Sequence, residues 1–76
     1  MDLGTQLMRV IQDVNVGTEV YGVNDPEMLN LMYREVEEWQ RERSFSPQVL
    51  EEFKKLPPNK VLLAHEKIQR VLFGSK

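Results

Sequence analysis

Apolar residues along residues 2–16 recur at Leu3, Leu7, Val10, Ile11 and Val14. That spacing gathers them into about a third of a helical wheel and predicts an amphipathic helix. Gly17 follows and suits the left-handed position at which helices stop. A second helix is expected over 26–43, with Met28, Leu29, Met32, Val36 and Trp39 on one face and Arg34, Glu37, Glu38 and Arg41 opposite. Its start is marked by Asn24 or Asp25 as cap, Pro26 at the first helical position and Glu27 at the positive end of the dipole. Arg34–Glu38 and Glu37–Arg41 are spaced for ion pairs of about 0.2–0.5 kcal/mol each.

Ser46-Pro47 repeats the cap-then-proline signal and predicts a short helix over 47–56 carrying Val49, Leu50, Phe53 and Leu56. Pro57-Pro58 ends it, since neither ring donates a helical hydrogen bond and each disfavours α geometry in the preceding residue. Asn59 is placed to cap a last helix over 60–73. Its apolar positions Val61, Leu62, Ala64, Ile68, Val71 and Leu72 cover the broadest arc, so it is expected at the centre. Residues 17–24, GTEVYGVN, read as extended. They form a loop packed by Val20 and Tyr21, or a strand pairing with its copy across a dimer axis; the lack of a second strand in the chain favours the loop. The expected fold is all-α: one domain, 1–76, built as a compact four-helix bundle.

Some apolar residues fall off these stripes. Leu31 lies among Glu38 and Glu42, Leu63 points toward Arg70, Tyr33 is on a flank, and Phe45 and Phe73 sit at helix ends. One such residue means nothing; several together predict a partner surface. Met8, Met28 and Met32 could adapt to irregular contacts, although core filling is their ordinary role.

Length sharpens that expectation. A chain of 76 residues buries only roughly 60% of its unfolded surface, and such domains often need a staple or a partner. Cysteine is absent and His65 is the single histidine, which excludes disulfides, thiolate zinc sites, iron–sulfur clusters and cysteine nucleophiles. No stretch approaches a membrane span and the N-terminus does not read as a secretory signal, so a cytoplasmic protein is expected. Residues 1–43 carry four basic and nine acidic side chains, residues 44–76 six and three. Packed together, the halves are expected to neutralise one another.

Candidate chemistry is sparse. The glutamates read as solvated charge, with Glu35 alone near an apolar boundary; catalysis needs such groups in a concave, partly dry site. His65 falls on the apolar side of its helix and is expected to bond to a carbonyl or carboxylate. The four scattered glycines form no phosphate-cradling motif, and no cofactor is implied. Helix–Pro57-Pro58–helix has the length of a helix-turn-helix, but the early positions of its second helix, Val61, Leu62, Leu63 and Ala64, are too apolar to read bases.

The expected role is a non-enzymatic interaction module: an adaptor, regulator or inhibitor meeting another protein or its own copy through Leu31, Tyr33, Phe45, Leu63 and Phe73. The alternative is a nucleic-acid-binding regulator using Lys54, Lys55, Lys60, Lys67 and Arg70, for which Glu66 is an unfavourable neighbour.

Overall fold

A computed structural model describes residues 2–21 and 25–74. Its order is α1 (Leu3–Val16), α2 (Pro26–Arg43), α3 (Pro47–Lys54) and α4 (Pro58–Phe73), with no strand among the described residues. The chain is a small all-α four-helix bundle. Its Cα radius of gyration, 11.5 Å, is what a compact chain of this length should have, about 11 Å.

Each helix begins at a side chain or ring chosen by sequence. Asp2 Oδ1 accepts from Thr5 N–H at 2.8 Å, Asp25 Oδ1 from Glu27 N–H at 3.0 Å, and Ser46 Oγ from Gln48 N–H at 3.2 Å. These bonds occupy amide hydrogens that a first turn leaves free. The Thr5 N–H also holds the Asp2 carboxyl below its ordinary range. α4 departs from expectation: it starts at Pro58, with Pro57 as N-cap and no side-chain cap. Asn59 therefore lies inside the helix. The first ring is extended and the second occupies the position where a missing N–H costs nothing.

Two helix ends differ from the sequence reading in an instructive way. Gly17 is extended, not left-handed, while Ser44 adopts φ +56° and Gly74 φ +59°. α1 needs no left-handed stop because Lys60 reaches it from α4. The Lys60 ammonium donates to the Asn15 carbonyl at 2.6 Å and the Gly17 carbonyl at 2.9 Å. It thereby supplies the positive charge that the last turn of α1 lacks.

The α1 and α2 backbones do not approach closely; both pack on α3 and α4, and α4 meets all three other helices. That central position explains why Leu63, expected off the stripe, is only 6% exposed. A helix covered from several sides buries a wider arc than an amphipathic wheel assumes. Phe45 is also core, at 4% exposure. The left-handed turn at Ser44 swings it inward, and Gln40 Nε2 donates to its carbonyl at 2.9 Å. Leu7, Val36, Val49, Phe53, Val61 and Ile68 are sealed completely. With Ile11, Val14, Met32 and Trp39 they make one contiguous core.

The turns sort the helix termini into two ends. At one, Tyr21 N–H donates to the Asn59 carbonyl at 2.8 Å and Lys60 holds α1. The connector end thus joins the C-terminus of α1 to the N-terminus of α4. Only three residues separate Tyr21 from Asp25, so α2 must start within about 14 Å of Tyr21. At the far end Arg43, closing α2, lies 4.4 Å from the ring centre of Phe73, closing α4. Gly4 in α1 approaches Ser46, the cap of α3, there too.

Candidate functional site

The polar residues that might carry chemistry are engaged within the fold. His65 and Glu35 join α4 to α2, with Nε2 and Oε1 2.7 Å apart. That distance fits a hydrogen bond between the imidazole and the carboxyl group. The ring of Trp39 lies 5.0 Å from the imidazole centre, tilted by 38°. The remaining nitrogen, Nδ1, is buried and without a partner. A general base must come within about 3 Å of the proton it removes, and sealed in the core this nitrogen reaches no substrate. The bond of His65 to a carboxylate is the contact expected from sequence. Among the described residues, no three His, Cys, Asp or Glu side chains gather into a set that could hold a metal ion.

The basic residues do not form one field. The Lys60 ammonium is committed to the α1 carbonyls. Lys55 pairs with Glu52 at 3.3 Å. Arg70 lines a shallow hollow that also contains Glu66, Gln69 and Phe73. Lys54 is exposed and Lys67 half-buried. Val61, Leu63 and Ala64, near the start of α4, are buried, while Asn59 is exposed there. Nor do the acidic and basic halves neutralise one another through ion pairs. Among the described residues, the Lys or Arg pairs are Arg43–Glu42 and Lys55–Glu52, each within its own half. Arg34–Glu38 and Glu37–Arg41 do not close.

The apolar candidates divide. Phe45 and Leu63 are core, as above, and leave the surface set. Tyr33 is half-buried, with its ring edge-on to Phe53 at 5.8 Å and 88°. Phe73 is 51% exposed but not idle: its ring meets Trp39 at 5.5 Å, nearly perpendicular, and Arg43 covers it. Leu31 is 59% exposed on the outer face of α2. It borders an open hollow lined otherwise by charged residues, among them Arg34, Glu38 and Arg41.

Four exposed apolar residues join Leu31 that sequence reasoning had assigned to packing or passed over. They are Val16, Val20, Tyr21 and Met28. Val20 and Tyr21 were expected to pack the connector inward, and Met28 to face the core. The connector is instead fastened through its backbone, which leaves those side chains outward. The readings placed on Gly22, Val23 and Asn24 lie outside the described residues. Thus five of the six large exposed apolar side chains among the described residues fall within residues 16–31, at the connector end and the adjoining turns of α2. The visible signal was their run in sequence; the fold supplies the reason they remain outside.

No helix among the described residues is long and apolar enough to cross a membrane. Compared with protein families, curated proteins and solved structures, the chain matches none.

Proposed function

We propose that this chain is a small non-enzymatic interaction module, an adaptor, regulator or inhibitor of a larger cytoplasmic protein, that docks through its connector end. The supporting observation is the concentration of exposed Val16, Val20, Tyr21, Met28 and Leu31 in one stretch of chain. Scattered exposed apolar residues are normal on any protein, whereas a grouped set on a small domain marks a contact surface. The reading rests on surface placement. Sealed His65 Nδ1 and the engaged Lys60 ammonium favour binding over catalysis or nucleic-acid contact.

The test is affinity purification from the native source with the wild-type chain and with Tyr21→Ser/Leu31→Ser. Both side chains are exposed, so the double variant should keep its unfolding free energy within about 1 kcal/mol. Proteins retained by wild type should be lost. An identical retained set would overturn the proposal.

A further inference from the structure

We infer that the connector end takes a cationic segment with an apolar face, presented by another protein. This deepens the proposal that the end is a docking surface and rests on it. Residues 10–33 contain no lysine or arginine but carry Asp13, Glu19, Asp25 and Glu27. All four acids are exposed. In sequence they alternate with the exposed apolar set: Asp13 precedes Val16, Glu19 precedes Val20, and Asp25 and Glu27 precede Met28.

The nearby cations do not cancel this charge. Lys60 directs its ammonium onto the α1 carbonyls, and Lys55, at the corner leading into α4, is paired with Glu52. Lys54 remains as a lone exposed cation on that corner. The hollow beside Leu31 adds Arg34 and Arg41 together with Glu35, Glu37 and Glu38, so with Lys54 and Lys60 also counted against the four acids the end stays negative. Three occupants are thereby distinguished. Nucleic acid and an anionic lipid surface would meet like charge. A second copy docking the same face about a two-fold axis would set these acids against themselves. A partner with basic residues flanking apolar ones gains on both counts: apolar burial supplies affinity, and opposite charge speeds encounter and rejects wrong partners.

Two fluorescent peptides of about four helical turns, sharing a leucine face, test the inference. One carries lysine on its polar face and the other glutamate. The lysine peptide should bind the wild-type chain at least about ten-fold more tightly than the glutamate peptide. Its affinity should fall as salt is raised. Leu31→Ser should abolish binding, and Glu19→Lys/Glu27→Lys should erase the preference, each variant keeping a cooperative circular dichroism melt.

Equal affinity for both peptides, with Leu31→Ser removing both, would overturn the cationic partner and leave the docking surface standing. Lysine-peptide binding that survives Leu31→Ser would overturn it as well, showing attraction without use of this surface. So would failure of both peptides to bind, or a dimer by light scattering that Leu31→Ser disperses. The purification comparison above judges the docking surface separately from these outcomes.

Discussion

The two ends of this bundle treat exposed apolar side chains differently. At the far end Phe73 is half exposed, yet Trp39 meets its ring and the Arg43 guanidinium lies on it. At the connector end Val16, Val20 and Tyr21 are exposed while the backbone is fastened, through Tyr21 N–H and the Gly17 carbonyl. Accessible area alone would rank Phe73 beside Leu31, at 51% against 59%. Contacts separate them: the Phe73 ring joins α4 to Trp39 and Arg43 of α2, whereas Leu31 borders an open hollow of charged residues. The difference teaches that exposed area alone does not tell a packed aromatic from a leucine bordered by charge.

That contrast can be broken first at the core both ends share. Phe53→Ala removes a fully buried ring packed on Tyr33 and should cost about 3–5 kcal/mol. A domain of this length is stable by only roughly 4–11 kcal/mol, so urea titration should find the variant's midpoint lowered by a large fraction of the wild-type value. A loss below about 1 kcal/mol would mean that the core described here is not the one that folds the chain. Lys60→Met then isolates the connector end. Losing charge-assisted bonds to the Asn15 and Gly17 carbonyls should cost about 1–2 kcal/mol. Hydrogen exchange should quicken in the last turn of α1 and leave the far end unchanged. Uniform acceleration would contradict the local role given to Lys60.

Smaller effects sharpen the far end. Ser44→Gly relieves a non-glycine residue held at φ +56° and should raise stability by about 0.5–1 kcal/mol, read as a higher urea midpoint. The smallest effect belongs to Asp2, whose carboxyl is held below its ordinary value by the Thr5 N–H. A depressed acid contributes stability that is present above its unfolded value and lost as pH falls through the folded one. The N-cap contribution should therefore persist at neutral pH and disappear in acid below the usual carboxylate range. Asp2→Asn should flatten that part of the pH–stability curve; an unchanged curve would remove Asp2 from the account.

Much of this was readable along the chain, and the failures share a cause. Asp25-Pro26 and Ser46-Pro47 set the starts of α2 and α3 because caps are local chemistry. The same rule, applied to the second ring of Pro57-Pro58, would have started α4 where it begins. Phe45 carried a signal too, since a large apolar residue after a left-handed helix stop commonly folds back on the helix. Leu63 carried none: its burial depends on helices arriving from several sides. Lys60 was equally silent, because its carbonyl partners lie more than forty positions away in sequence. The candidate surface was half legible. Leu31 stood out on the wheel, but Val20, Tyr21 and Met28 look like packing residues until the connector is seen to be held by its backbone.

The central claim is tested most directly by placing a photo-crosslinking amino acid at Leu31 or at Phe73 and irradiating the chain in its native cell. The account predicts adducts with another protein from position 31 and none from position 73. Equal adducts from both positions, or adducts from position 73 alone, would contradict it.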